Sequence, residues 1–449
     1  MTYTQPKQMH LGVVLSPTTA HVAGWRHPDA ISNAGATFEQ LRQIVDDASR
    51  AKFDFAFLAD ELCAPDATDE ILSRDPVVYQ FEPLTLMSAL AVTTKEIGLV
   101  ATQTTTYNEP YHIARKLASI DNLSGGRCGW NVVTSYVPAE ARNFNLSEHV
   151  TYENRYERAR EFCEVTAGLW DSWTDDAFVL DKESGRYFDP ERIRRLNHEG
   201  KHFKVAGPLN VVRSPQGHPV IVQAGSSEHG LDLAADVAEM VFTAQRNLDG
   251  AVAFNKGLRE RAERRGRDAN SFRVIAGVYP VIGGTMEEAK RKYSELQDLI
   301  HSEIGLARLS QLLDFDVTNL PLDGPLPDNI PVTNAYRSRQ ELIINMAREG
   351  NMTLRELYKE VMSAYGHRIV IGTPETVADS LQEWHAAGAS DGFMIMPAFL
   401  PTGLTDFVDG VVPELRKRDL FRTEYEGNTL RSHLGIARPD VPSGDPALV

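Results

Sequence analysis

The amino-acid sequence predicts an α/β fold, a closed (β/α)8 or TIM barrel with insertions. Short apolar runs rich in β-branched residues recur about eight times, and most are followed by a segment of helical periodicity. Polar residues cluster where several of these runs end. Alternation of strand and helix is typical of parallel βαβ units, and eight strands suit a closed barrel. A doubly wound open sheet is the alternative that the alternation alone leaves open.

The predicted strands are apolar on both faces, as buried parallel strands are. The segments between them carry apolar residues with a period near 3.6, or open with a proline that the first helical turn tolerates. The predicted strands are residues 11–15, 53–58, 97–102, 128–133, 220–223, 240–243, 274–281 and 392–396. The predicted helices are residues 38–52, 83–94, 110–123, 155–170, 230–238 and 286–299.

Two stretches are longer than a normal connection between strand and helix. Residues 171–218 are polar and arginine-rich, and residues 301–368 form a helical insertion with a proline-rich loop. Long connections in compact domains are commonly lids or binding loops. We therefore expect one domain over residues 1–449, with the second insertion as a candidate lid. The tail, residues 437–449, is expected to be extended.

Composition and charge narrow the class of protein. The chain is 42% apolar and carries a formal net charge of −16, and it has no basic stripe with interleaved aromatic residues. We therefore expect no nucleic-acid partner. No apolar run approaches the roughly 20 residues that span a bilayer, and the first ten residues lack a signal-peptide pattern. The three cysteines form no CxxC pair, so we expect reduced thiols, a cytoplasmic location and no membrane partner.

One motif suggests zinc but is not typical of a zinc site. Residues 198–202 read His-Glu-Gly-Lys-His and match HExxH, which requires a regular helix to place both histidines on one face. Glycine lies inside the motif and its flanks lack helical periodicity, so we interpret it as a surface turn leading into a short strand and expect no metal. The chain also lacks the Rossmann, P-loop and GxSxG motifs in their usual contexts.

Polar side chains follow the predicted strands at the end where TIM-barrel active sites lie. The second strand leads to Asp60, the third to Thr102 and Thr104, and the fourth to Asn131 and Ser135. Together they offer hydrogen bonds to a polar heteroaromatic ring and a polyol. Taken singly, the aspartate also fits a turn cap and the threonines fit strand propensity.

The fifth predicted strand runs into small residues that open a helix. A helix N-terminus of this kind suits a phosphate group, although serine there also fits a simple N-cap. Their location on the same rim as the other polar side chains favours a binding site. The residues concerned are Ala224, Gly225, Ser226 and Ser227.

At these residues the chain resembles a known family, the FMNH2-dependent monooxygenases of the nitrilotriacetate monooxygenase component A type. This family is a branch of the bacterial luciferase-like superfamily, which also holds dibenzothiophene-sulfone and long-chain alkane monooxygenases. The similarity covers about residues 9–435 in a consistent order. The segments include 24–28 (GWRHP), 57–60 (FLAD), 109–112 (EPYH), 114–115 (AR), 123–127 (LSGGR), 130–135 (WNVVTS), 141–144 (ARNF), 155–156 (RY), 207–209 (GPL), 223–227 (QAGSS) and 421–425 (FRTEY).

The resemblance implies a luciferase-like barrel that is a homodimer or homotetramer. It implies FMN as cofactor, used as FMNH2 from a separate NAD(P)H:FMN reductase, and O2 as cosubstrate that oxygenates a small organic molecule through a flavin peroxide. A deazaflavin-dependent oxidoreductase and a catalytically silent flavin-binding protein are the alternatives. By family position the cofactor would contact Asp60, Thr102, Thr104, Asn131, Ser135, Tyr152, Tyr156, Ala224, Gly225, Ser226 and Ser227.

Two positions depart from the family pattern. Many relatives carry histidine where this chain has Tyr152, and a tyrosine donates a hydrogen bond but carries no positive charge at neutral pH. His149 lies nearby in sequence as a candidate substitute. The alkane-oxidising relatives carry histidine where this chain has Tyr136. These departures leave the substrate unassigned.

The expected reaction also needs a proton donor or an orienting group. The candidates are His27 after the first strand, Tyr136 after the fourth, and Glu82 before the second helix. His27 also fits a turn residue beside a proline, and Glu82 fits an acidic residue in the first helical turn.

Overall fold

The computed structural model describes residues 3–15, 21–31, 37–65, 67–225, 227–333 and 337–441. The strands in these ranges are β1 (His10–Val14), β2 (Phe55–Leu58), β3 (Gly98–Thr104), β4 (Cys128–Val133), β5 (His198–Glu199), β6 (Lys204–Val205), β7 (Val220–Gln223), β8 (Met240–Thr243), β9 (Arg273–Ile282), β10 (Arg368–Gly372) and β11 (Gly392–Ile395).

The helices are α1 (Phe38–Arg50), α2 (Asp69–Leu72), α3 (Pro83–Thr93), α4 (Pro110–Ser124), α5 (Tyr152–Trp170), α6 (Glu228–Val237), α7 (Leu248–Arg264), α8 (Met286–Asp298), α9 (Ser302–Leu313), α10 (Arg337–Glu349), α11 (Leu354–Ala364), α12 (Pro374–Ala386), α13 (Thr402–Asp406), α14 (Val412–Lys417) and α15 (Leu430–His433). Short 3-10 helices lie at Gly24–Arg26, Pro76–Val78, Pro138–Phe144 and Pro190–Arg192, and a π-helical turn at Phe407–Val411.

Eight parallel strands close into a barrel. Their order is β1, β2, β3, β4, β7, β8, β9 and β11, and β11 pairs again with β1. Each strand coincides with one of the eight apolar runs of the sequence. The predicted (β/α)8 barrel is therefore confirmed, and the open-sheet alternative is wrong.

One strand beside the barrel was not predicted. β10 pairs in parallel with residues 278–282 of β9, whereas β11 pairs with residues 275–278. β9 is ten residues long and so serves both neighbours. Residue 368 was expected to end the second insertion, because the apolar run there is short and directly follows a helical segment.

The alternation of side chains along a strand directs the candidate residues of β3 and β4 to the barrel interior. Thr102 and Thr104 lie on the same face of β3 as Val100, which belongs to the apolar cluster of Phe55. Asn131 of β4 stands opposite Thr102 in the strand register. The polar groups therefore lie above an apolar floor, at the carboxyl end of the barrel.

The opposite rim is held by three acids, each directly before a barrel strand, which we call the rim acids. Asp54 and Asp391 are fully buried and Glu239 is partly buried. Each carboxylate accepts a hydrogen bond from a backbone N–H of the neighbouring strand and another from an arginine outside the barrel. The pairs are Leu11 N (2.8 Å) and Arg422 (2.7 Å) for Asp54, Ile221 N (3.1 Å) and Arg431 (2.7 Å) for Glu239, and Val274 N (2.7 Å) and Arg259 (2.6 Å) for Asp391.

The end of the chain covers this rim. Leu430 of α15 is fully buried, and a Cβ added to Gly98 would lie 2.5 Å from its side chain. Its backbone N–H donates to the carbonyl of Gly126 at 3.0 Å. We call residues 421–436 the C-terminal segment; it carries two of the three arginines that bind the rim acids.

The second insertion lies against the carboxyl end of the barrel. α9, α10 and α11 share an apolar core with Val22 and Ala23, which follow β1. Arg308 of α9 forms a buried ion pair of 2.6 Å with Asp75, which follows α2. The second insertion therefore lies at the end of the barrel where a lid was expected. That it opens and closes as a lid stays a prediction.

The first insertion forms the hairpin of β5 and β6, so the HExxH residues lie on a hairpin and not on a helix. His198 contacts Glu161 of α5 at 3.1 Å. Of the predicted extended tail, residues 437–441 form neither helix nor strand, and Arg438 pairs with Asp175 at 2.6 Å; residues 442–449 are beyond the described ranges. No helix in the described part of the chain is long and apolar enough to cross a bilayer.

Candidate active site

The ends of β3 and β4 form one side of the site. Thr102 Oγ1 donates to the carbonyl of Leu58 at 2.7 Å and accepts from Asn131 Nδ2 at 2.9 Å. This leaves Asn131 Oδ1 buried, with no hydrogen-bond partner among the described residues, and the same holds for Gln223 Oε1 at the end of β7. A buried acceptor without a donor is costly, so each oxygen is a ready acceptor for a ligand N–H.

The backbone after β4 is held in an unusual conformation. Ser135 has φ of 55°, a left-handed conformation that costs a non-glycine residue roughly 1–2 kcal/mol. Its hydroxyl donates to Thr104 Oγ1 at 2.9 Å. Strain of this kind concentrates at functional sites. Here it turns the chain at the mouth of the barrel, directly before Tyr136.

A small cavity of about 90 Å³ lies between α5, the end of β7 and the start of α6. Ser227 is the N-cap of α6, and its Oγ accepts the N–H of Gly230 at 3.3 Å. The hydroxyl of Tyr152 reaches the same Oγ at 2.5 Å and that of Tyr156 at 3.5 Å. The lining residues are Val132, Val133, Thr134, Ser135, Tyr136, Tyr152, Arg155, Tyr156, Gln223, Ala224, Gly225, Ser227 and Arg337.

This cavity combines the features of an anion site. Hydroxyl donors converge at the N-terminus of a ten-residue helix, where the helix dipole and free N–H groups favour a phosphate. Glycine at 225 leaves room there, because a Cβ would lie 2.5 Å from Gln223 Nε2 and 3.2 Å from Gly230 Cα. Of the predicted phosphate ligands, Ser226 falls outside the described ranges.

His149, the candidate substitute for the missing histidine, makes a different contact. Its Nδ1 lies 2.7 Å from the hydroxyl of Tyr107. Burial and the nearby charge of Arg155 lower its pKa to about 4. His149 is therefore neutral at neutral pH and supplies no cation to the cavity.

Asp60 lies at the end of β2 beside other acids. Its Oδ1 accepts from Gln80 Nε2 at 2.6 Å. Burial raises the pKa of Asp60 to about 7, with Glu82 and Glu140 adding to the rise and the Gln80 hydrogen bond opposing it. The carboxyl group therefore changes charge near neutral pH.

An Asp60→Asn variant should gain thermal stability in a pH-dependent way. The pKa of Asp60 is about 7 in the folded chain and about 3.9 in an unfolded one. In the parent chain, the raised pKa has no effect on stability below pH of about 3.9, where Asp60 is protonated in both the folded and the unfolded state. As pH rises from there through about 7, the folded state loses stability relative to the unfolded state. The variant's gain in Tm should be near zero at pH 4, grow to pH 7 and then level off. Thermal unfolding across this range measures it, exposed Asp409→Asn is the control, and a pH-independent gain would contradict the prediction.

The loop after Asp60 is fastened to the segment after β4. Tyr136 donates its hydroxyl to Glu61 Oε1. Glu140 is 2% exposed and accepts the N–H of Leu62 at 3.2 Å, and burial raises its pKa. The site therefore holds four acids close together, Asp60, Glu61, Glu82 and Glu140, in a partly desolvated region.

The other two catalytic candidates are placed by local contacts. His27 stacks on Phe399 with ring centroids 4.0 Å apart, and burial lowers its pKa. Glu82 is the N-cap of α3, accepting the N–H groups of Leu84 and Thr85 and a hydrogen bond from Gln103 at 2.9 Å. These contacts show an N-cap role for Glu82, and proton transfer by either residue stays a prediction.

Several site residues were missed by sequence reasoning. Gln80 and Glu140 fix Asp60 and the loop after it, but they lie in segments without a recognisable motif. Gln103, which binds Glu82, lies between Thr102 and Thr104 in the polar end of β3, and that position was the available signal. Arg337 reaches the cavity from the second insertion, and no local pattern connects it with residues about 180 positions earlier. The short strand β10 also had a usable signal, its run of β-branched residues.

Comparison with known proteins identifies the family. A family model described as luciferase-like monooxygenase matches residues 16–391. The chain is 50% identical over 438 residues to N-acetyl-S-(2-succino)cysteine monooxygenase of Bacillus subtilis (strain 168), covering 97% of this chain and 98% of that protein. It is 48% identical to nitrilotriacetate monooxygenase component A of Aminobacter aminovorans, covering 96% and 97%.

A solved structure agrees with these sequence matches. A riboflavin lyase crystallised with modified FMN and riboflavin superimposes with a TM-score of 0.85 at 32% identity, covering 95% of this chain and 96% of that one. Fold, polar barrel mouth and sequence similarity over nearly the whole chain therefore agree. The chain belongs to the luciferase-like monooxygenase family and is a monooxygenase.

Proposed function

We propose that this monooxygenase uses reduced FMN and O2 to oxygenate a small organic molecule. The observation that carries the proposal is the pairing of two features at one barrel mouth. One is a pair of buried, unpartnered acceptors, Asn131 Oδ1 and Gln223 Oε1. The other is the anion cavity at Ser227. A flavin ring with N–H donors and a terminal phosphate matches this combination.

The residues of the chain would divide the binding of FMN among them. Thr102 and Asn131, with Asp60 close to the rim, would orient the ring. Thr104 and Ser135 would face the ring and ribityl chain. Tyr152, Tyr156, Ser226 and Ser227 would hold the phosphate, with Ala224 and Gly225 allowing its close approach.

When bound, reduced FMN supplies two electrons, with which O2 gives one oxygen atom to the substrate and one to water. The chain's part is to exclude water, to orient the reactants and to hold a proton. We assign the proton-holding role first to Tyr136, whose hydroxyl already bonds the Glu61 carboxylate. His27 and Glu82 remain the further candidates.

We further propose a separate NAD(P)H:FMN reductase as the source of reduced flavin. The name of one relative, a monooxygenase component A, supports a system of two components. We also propose that the protein is a homodimer or homotetramer and that it is located in the cytoplasm. The three free cysteines suit a reducing compartment. For substrates, the relatives' names favour testing S-substituted cysteines and aminopolycarboxylates first, followed by sulfur heterocycles, alkanes and haloaromatics.

Anaerobic titration should show tight binding of FMNH2, and Ser227→Ala should weaken it about tenfold. Losing one charge-assisted hydrogen bond to phosphate has that order of effect. Thr285→Ala is the matched control, because Thr285 caps α8 in the same way as Ser227 caps α6. The control loses a helix cap but keeps its affinity for flavin.

Oxygen transfer is then tested with 18O2 and the substrate panel, and incorporation of one labelled atom into a product is expected. Failure of the parent chain to bind FMNH2, with flavin oxidised at its free rate, would overturn the proposed function. Equal affinity of the parent and Ser227→Ala would overturn the phosphate site alone.

A further inference from the structure

Of the described barrel residues that line the anion cavity, Arg155 is the one with a cationic side chain. Tyr152, Tyr156 and Ser227 contribute only neutral hydroxyls. Arg155 lies beneath them at 1% exposure, and its Nη1 is used by the carbonyl of Val150 at 3.0 Å. Burial lowers the pKa of Arg155, and its charge is shared with the carboxyl group of Glu140. A phosphate dianion would thus be only partly neutralised by the barrel.

A second cation reaches the cavity from the second insertion. Arg337 is the first residue of α10 and lines the cavity. Its guanidinium carbon lies 4.3 Å from the centroid of the Tyr152 ring. Its Nε donates to the carbonyl of Thr333 at 3.0 Å. In the part of the chain that the structure describes, no acceptor binds its two terminal nitrogens.

Two contacts therefore orient Arg337, and its terminal N–H groups bind no acceptor among the described residues. The Nε hydrogen bond and the contact with the Tyr152 ring hold the guanidinium plane, which reduces the entropy lost when a ligand binds. A guanidinium group presents parallel N–H donors that match a phosphate in two-point geometry.

We propose that Arg337 binds the phosphate of FMN and supplies a positive charge that the hydroxyl groups of Tyr152, Tyr156 and Ser227 do not. The ligand class is a phosphomonoester dianion attached to a flavin. This inference rests on the proposed function, in that it requires a flavin at the barrel mouth. The inference adds Arg337, a residue of the second insertion, to the proposed phosphate ligands. It also predicts that cofactor binding stabilises the insertion against the barrel.

The consequence is a coupling between cofactor and insertion. Ser227, Tyr152 and Tyr156 belong to the barrel, whereas Arg337 belongs to α10, which packs with α9 and α11. A phosphate held by both sides joins the insertion to the barrel. By linkage, FMN then stabilises the seated insertion, and the seated insertion raises the affinity for FMN by the same factor.

The test compares FMN with riboflavin, which has the same ring and no phosphate. Arg337→Gln should weaken FMN binding about tenfold to a hundredfold, as expected for hydrogen bonds to a charged group. Its affinity for riboflavin should equal that of the parent, which also shows that the variant is folded. Arg337→Lys should recover part of the loss. Arg348→Gln, an exposed arginine on the same helix, is the matched control and should change neither affinity.

Hydrogen exchange of residues 301–367 provides the second measurement. FMN should protect the insertion in the parent, riboflavin should protect it less, and Arg337→Gln should remove the difference. Arg337→Gln binding FMN within twofold of the parent would overturn the inference and leave flavin binding intact. A parent that binds neither FMN nor riboflavin would instead overturn the proposed function.

Discussion

Replacing Asp54 with alanine should lower the free energy of unfolding by about 3–5 kcal/mol, because buried cationic and N–H groups then lose their hydrogen-bond acceptor. The carboxylate is fully buried and accepts from Leu11 N, His10 Nδ1 and Arg422 Nη2 at 2.7–2.9 Å. It thereby ties β1 and β2 to the C-terminal segment. Chemical denaturation measures the loss. Asp46→Ala is the control, since the ion pair that Asp46 forms among the described residues is an exposed one on α1 at 3.8 Å, and such pairs contribute at most about 1 kcal/mol.

The same residue predicts a dependence on acid. Burial alone would raise the pKa of Asp54, but Arg422 and His10 outweigh it, and the net pKa is lowered. The stabilisation is therefore present above the unfolded pKa of about 3.9 and is lost as pH falls through the folded value. The difference between parent and Asp54→Ala should shrink below pH of about 4. A difference that stays constant down to pH 3 would contradict this account.

The second large effect concerns catalysis. Tyr136→Phe should reduce kcat about 10²- to 10⁴-fold, the range that a positioned acid or base contributes. Phenylalanine keeps the ring that lines the cavity and loses only the hydroxyl that bonds Glu61. Affinity for FMNH2 should stay within about threefold. Single-turnover measurement of product per flavin oxidised separates this outcome from loss of cofactor.

Two controls accompany that measurement. Tyr187→Phe removes a hydroxyl from a residue that is 67% exposed on the first insertion, and it should leave kcat unchanged. A pH profile of kcat should change shape in Tyr136→Phe if the hydroxyl holds the transferred proton. Turnover within threefold of the parent would remove Tyr136 from the proposed mechanism and direct attention to His27 and Glu82.

The barrel could be predicted because each of its strands is recognisable from its own short run of residues. A buried parallel strand must be apolar on both faces, so segments such as 128–133 stand out without knowledge of their partners. The polar ends of β3 and β4 could be placed on one rim for the same reason, since parallel strands share their direction. The proline-led starts of α3 and α4 were equally readable.

The rest of the site depends on contacts between distant segments. Glu140 is 2% exposed within a short 3-10 helix, yet an acidic residue there resembles any surface acid in the sequence. Arg337 contacts the ring of Tyr152, which lies 185 positions earlier in the sequence. The start of α5 was placed three residues late, at 155, because the polar first turn lacks an apolar repeat. Such features follow from packing and charge in three dimensions.

The C-terminal segment also sets the order in which the molecule can be completed during synthesis. Asp54 emerges early, but Arg422 and the last barrel strand, which must pair with β1, are made near the end. Contacts so far apart in sequence are slow to form. The nascent chain therefore carries an open sheet with exposed strand edges until β11 is available to pair with β1. A chain that stopped before β11 would keep that sheet open, with unpaired edges that favour aggregation.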